Sequence, residues 1–127
     1  MNLYTYRISE VNRVIDGDTL DVSIDVGFGI TVFQRIRMEK YDAPETWRPV
    51  TEAELKAGEK CTQYLKNLIS EHIDNLFIIT SKHIGIYGRY GGEIFYKDGV
   101  LYKSINDLMV KYIDKNKYYK KLLRAKN

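Results

Sequence analysis

The chain has 127 residues, 44% of them hydrophobic and 29% charged, with a formal charge of +3, enough for one domain with a real core and too short to expect two. That balance excludes disorder and fibrous architectures, and no segment approaches transmembrane length. Cys61 is the only cysteine, which leaves no disulfide partner and no thiolate metal cluster.

The start, "MNLYTYRISE", lacks a charged segment followed by an apolar run, so the expectation is a cytoplasmic protein unless a leader has been removed. From Tyr4 to Ile15 and from Thr19 to Val26 the chain alternates and is rich in Val, Ile and Tyr, predicting two strands around an Asp16-Gly17 turn. A third strand, Ile30 to Met38, follows the Gly27-Phe28-Gly29 turn. In the second strand Leu20, Val22, Ile24 and Val26 share one face, leaving Asp21 and Asp25 as solvated residues of the other.

After a loop holding Pro44 and Pro49, "TEAELKAGEKCTQYLKNLISEHI" reads as a helix opened by a Thr51/Glu54 capping box. Its apolar stripe is Ala57, Cys61, Tyr64, Leu65, Leu68 and His72, and Gly58 weakens its first turns, which points to a later start. A fourth strand, "NLFIITSK", leads into a loop containing "IYGRYGG"; "EIFY" and "VL" then flank Asp98-Gly99 as a hairpin. Ser104 opens another helix with a Ser-x-x-Asp pattern, and Tyr118 to Ala125 suggests a third. The expected class is α+β and β-rich: a five-stranded Greek-key OB-fold barrel with two or three flanking helices, in a single domain spanning 1–127.

Two stretches carry unusual chemistry. "VIDGDTLDV" places Asp16, Asp18 and Asp21 within six residues, where each carboxylate opposes its neighbours. "YDAPETW" puts Asp42 and Glu45 on either side of Pro44, which stiffens their placement. Asp18, Asp42 and Glu45 together form the anionic, oxygen-only donor set that a hard divalent cation prefers. Arg37 ends the strand before that loop, and Arg89 lies in a glycine-bordered one; guanidinium forks match phosphate oxygens. Acids for a cation, an acid to activate water, and two arginines facing a phosphate are the components of phosphodiester hydrolysis.

In their order along the chain, "VIDGDTLDV", "R-x-x-x-x-D-A-P-E-T" from Arg37 to Thr46, and "YGR" at Tyr87 to Arg89 resemble the staphylococcal nuclease, or thermonuclease, family, over about residues 11–110. The resemblance implies an OB-fold barrel and calcium-dependent cleavage of DNA and RNA with little sequence preference, breaking the 5′ P–O bond to leave 3′-phosphate ends. It implies Asp18 and Asp42 as metal carboxylates, Ala43 as a ligand through its backbone carbonyl, and Asp16 as an acid just behind the metal. Glu45 becomes the general base, in reach of the metal through water; Arg37 and Arg89 become the phosphate-binding catalytic pair, with Tyr87 a further phosphate contact. The implied ion is Ca2+, with Mg2+ or Mn2+ as substitutes. Spacing to Asp42 selects Arg37 over Arg35, which has the same strand parity. On this reading the crowded carboxylates are tolerated because a dication offsets their repulsion.

Beyond Val110 the resemblance fades. Tyr119 is assigned to base stacking, although it and Tyr118, beside Leu122 and Leu123, also suit a core edge. Trp47 either stacks on a base or covers the acidic loop. His72 and His83 stand apart from one another and read as helix packing and loop solvation. Residues 111–127 hold seven Lys/Arg against one acid, Asp114, a pattern shared by nucleic-acid contacts and solvated helix faces, with no apolar face suited to a membrane. The expected partner is DNA or RNA as substrate, for a monomer. The rival reading is a non-catalytic OB-fold module that binds nucleic acid or protein; a pure protein-contact scaffold is a third.

Overall fold

Period-two alternation organises the first half of the chain into a meander. The computed structural model describes residues 3–44, 46, 51–85 and 88–116. It contains β1 (Thr5–Asp16), β2 (Thr19–Asp25) and β3 (Thr31–Met38). Leu20 pairs with Ile36 and Ile24 with Val32 across β2 and β3, and their inward side chains start the core. Asp16 pairs with Thr19, so the first turn is Gly17-Asp18, one residue further along than expected. Three register shifts along β1 add twist, as bulges do, and let this one long strand pair with β2 and, at Thr5 to Arg7, with the next strand of the barrel.

Helix α1 (Glu52–Glu71) begins where the capping box places it: Thr51 accepts from the Glu54 amide at 3.1 Å. Gly58 does not delay its start; it is buried on the core face with Cys61, Leu65, Leu68 and Ile69. His72 ends the helix and stacks on Tyr96 with ring centroids 3.6 Å apart, while His83 is exposed; both agree with the packing and solvation roles. A 3₁₀ turn, Ile73–Asn75, then leads into β4 (Leu76–Thr80).

β5 (Tyr90–Asp98) and β6 (Leu101–Ser104) form the hairpin, with Gly99-Val100 between the paired Asp98 and Leu101. The expected strand began at Glu93, with Gly91-Gly92 left in a loop. In fact β5 starts at Tyr90 because both glycines lie in the barrel wall, paired in parallel with Arg37 and Met38 of β3. A Cβ on Gly92 would sit 2.8 Å from Ile78 Cδ1 and 2.9 Å from Ile36 Cγ2. Glycine there lets the wall close.

The strand order is β3-β2-β1-β4-β5-β6, and β5 returns to β3. The first five strands therefore make a closed mixed barrel, with β6 extending β5: an α+β OB-fold with two helices among the described residues. Ser104 caps α2 (Ile105–Asp114), accepting from the Asp107 amide at 3.1 Å. The third helix expected after Tyr118 lies outside the described residues. α1 and α2 bury Leu65, Ile105, Met109 and Ile113 in a core shared with Leu20, Ile36, Ile78 and Ile94. Among the described residues no helix is long and apolar enough to cross a membrane.

Candidate active site

The β1–β2 turn is held from three directions. Asp16 Oδ1 accepts from the Asp18 amide at 3.0 Å, closing an Asx turn. Buried Tyr41 donates its hydroxyl to the Gly17 carbonyl at 2.7 Å. Gly17 is packed so tightly on α1 that a Cβ would come within 2.6 Å of Cys61 Sγ and 2.8 Å of Ala43 Cβ. Sequence, turn and helix thus fix where Asp18 points.

Its carboxylate is almost fully covered. Oδ2 accepts from the Ala43 amide at 2.8 Å, and Oδ1 accepts from the Thr19 hydroxyl at 3.0 Å. Burial, and then the contact with Asp16, push its pKa up to about 6, against the opposing charge of Arg37. Burial likewise pushes the neighbouring Cys61 thiol up to about 12. A thiol held in that form packs rather than reacts.

The loop after β3 supplies the second carboxylate. Lys40 has a left-handed backbone, φ 82, a conformation that a non-glycine residue keeps only when its surroundings enforce it. They do: the Glu39 amide donates to Gly92 O at 3.0 Å, Asn106 Nδ2 donates to Glu39 O at 2.9 Å, and Lys40 Nζ bridges Glu93 and Asp107. The loop is thereby anchored to β5 and α2 just before Asp42.

Arg37 joins the two acids. Its Nη1 donates to the carbonyls of Met38 at 2.7 Å and Tyr41 at 3.0 Å. Its Nη2 donates to Asp42 Oδ1 and lies 3.3 Å from Asp18 Oδ2. Arg89 reaches the same turn, its Nη1 donating to Thr19 Oγ1 at 3.3 Å. One threonine hydroxyl therefore separates Arg89 from the Asp18 carboxylate. Thr19 and Tyr41 were not singled out from the sequence; a hydroxyl one residue beyond an acid gains meaning only once the fold brings Arg89 to it.

The structure thus brings together Asp16, Asp18, Arg37, Asp42, Ala43 and Arg89. Arg35 is elsewhere, as the choice of Arg37 assumed: it pairs with Asp21 through Nε at 2.8 Å and Nη2 at 3.2 Å. This corrects the expectation that Asp21 is solvated. Arg35 covers it, and the hydrogen bond holds its pKa below the usual carboxylate range. Asp25 is exposed, as expected, and accepts from the Gly27 amide. Glu45, Trp47, Tyr87, Tyr118 and Tyr119 lie outside the described residues.

Two carboxylates converging on one guanidinium nitrogen form an anionic oxygen cluster of the kind that attracts cations. The chain is similar in sequence to an endonuclease. Over 93 residues, 70% of its length, it is 33% identical to Endonuclease YhcR of Bacillus subtilis (strain 168). It spans 7% of that protein's length. No family model matches the chain.

Among the described residues no group of three or more His, Cys, Asp and Glu side chains is gathered to hold a metal. Asp18 and Asp42 are nevertheless a fitting donor pair for a hard dication: both are carboxylates, and both reach one nitrogen, Arg37 Nη2, so their oxygens lie close enough to share a cation in its place.

Proposed function

We propose that the chain is a metal-dependent nuclease that hydrolyses phosphodiester bonds of DNA or RNA with little sequence preference, leaving 3′-phosphate ends. The convergence of Asp18 and Asp42 on the Arg37 guanidinium, with Arg89 one hydroxyl away, is the observation that carries this reading. The likeness to Endonuclease YhcR supports it.

Asp18 and Asp42 would hold the cation, calcium first, with the Ala43 carbonyl beside them. When bound, that ion supplies charge neutralisation and Lewis-acid polarisation. Arg37 then has an alternative to its carboxylate partners: its fork would grip non-bridging phosphate oxygens, with Arg89 as the second guanidinium. Two guanidiniums suit the charge that accumulates on a phosphate as water adds to phosphorus. Glu45 orients that water and takes its proton as the new P–O bond forms, and the P–O5′ bond breaks with the 5′ oxygen taking a proton from solvent water. Tyr87 adds a phosphate contact. Thr19 sets the direction of Arg89, and Asp16 holds the turn that aims Asp18.

The variants Glu45→Gln and Arg89→Ala test these roles by steady-state cleavage of a DNA oligonucleotide. Each should lose on the order of 100-fold or more in kcat. Full turnover in both variants removes the proposal.

A further inference from the structure

We infer that the outer face of β3 is a track for a single strand of nucleic acid leading to the Asp18–Asp42 cluster, with Arg35 as a phosphate contact and Phe33 as a base-stacking platform. The inference rests on the nuclease reading and adds to it a substrate form and a direction of approach.

Along β3, Phe33, Arg35 and Arg37 alternate with the inward Gln34, Ile36 and Met38. They therefore line one face at intervals of about 7 Å. Arg37 belongs to the carboxylate cluster. One step outward, the Arg35 side chain is 52% exposed and held flat by its two bonds to Asp21, which leave Nη1 unengaged among the described residues. One step further, Phe33 is 59% exposed opposite Ser23. At the hairpin tip Phe28 is 99% exposed in a left-handed conformation, φ 59, between two left-handed glycines.

Single apolar side chains on a surface are ordinary. Here one exposed ring, Phe33, shares a strand face with Arg35 and Arg37, the second of which belongs to the proposed site. A flat ring followed on the same face by two guanidiniums complements a base whose own chain carries phosphates toward the site. Arg13 also acts on Asp21, so the carboxylate beneath Arg35 is offset by two arginines. A duplex keeps its base faces stacked inside and could not present one to Phe33, whereas an unpaired strand can.

The test is fluorescence anisotropy of a labelled thymidine oligonucleotide and of a hairpin duplex, in chelator so that nothing is cut. The single strand should bind more tightly than the duplex. Phe33→Ala and Phe33→Leu should each weaken single-strand binding by about fivefold or more, and Phe33→Trp should preserve it, because a ring face and not apolar bulk is required. Arg35→Gln should reduce the log–log salt slope by about 0.7. Single-strand affinity unchanged in Phe33→Ala, or fully retained in Phe33→Leu, overturns the inference. Cleavage by the unaltered protein with and without calcium reports on the nuclease reading alone. Affinity independent of Phe33 beside calcium-dependent cleavage would reject the track and keep the nuclease.

Discussion

Asp18 and Asp21 stand three residues apart and titrate in opposite directions. Burial raises the Asp18 carboxyl from its ordinary 3.8 to about 6, so the folded chain binds that proton more tightly than the unfolded chain. The stability gained is complete below pH 3.8 and is lost as pH rises through about 6, to the extent of about 2–3 kcal/mol. Asp21 is lowered by its hydrogen bond from Arg35. Its contribution is present above the ordinary value and is lost as pH falls through the lower folded one; since Arg35 is half exposed, it amounts to about 1 kcal/mol at most. Thermal unfolding of the metal-free protein between pH 4 and 7 should therefore show a fall in stability across pH 4–6 that Asp18→Asn abolishes. Calcium should reverse that fall in the unaltered protein. A flat profile in the unaltered protein contradicts the burial of an unneutralised carboxylate.

Elements are fixed by small residues and short polar ties. Gly17 lets the β1–β2 hairpin rest on Cys61 and Ala43. Gly17→Ala should cost about 1–3 kcal/mol, as overpacking does, and Cys61→Ala in the same chain should return part of it, a coupling that a double-mutant cycle of denaturant midpoints measures. Asn106, fully buried, donates to Glu39 O and Gly92 O and accepts from the Ile94 amide. It joins α2 to β5 and to the loop that carries Asp42. Asn106→Ala removes a partner from the Glu39 carbonyl and the Ile94 amide, while Gly92 O keeps the Glu39 amide, and should cost about 3 kcal/mol in urea unfolding. Strain at Lys40 would then be released, so cleavage should fall further than stability alone explains.

The same elements show what could be read from sequence. Both helix starts follow from local chemistry, Thr51 with Glu54 and Ser104 with Asp107, and the three early strands follow from alternation. The start of β5 does not, because two adjacent glycines signal a loop locally and become strand only when β3 lies alongside. Asp21 was misread for a related reason: parity placed it on the outer face, but only pairing with Arg35 shows that the outer face is not solvent there. In the candidate site, Asp18, Asp42, Arg37 and Arg89 were recognisable by motif, whereas Thr19, Tyr41 and Asn106 act through partners more than 20 or 60 residues away or on another element and leave no local mark.

At the scale of the whole molecule, closing β5 onto β3 does two things at once. It completes the core, burying Ile36, Ile78 and Ile94, and it places Arg89, just before β5, against the first residue of β2, 70 residues earlier in the chain. Barrel closure and site assembly go together, and one barrel holds two carboxylates and two arginines in register. The most direct measurement is cleavage of single- and double-stranded DNA in calcium, magnesium, manganese and chelator, with the product ends identified. The account predicts turnover in calcium, none in chelator, and 3′-phosphate termini. Tight binding with no cut strand under any of these metals would contradict it and leave a binding module in its place.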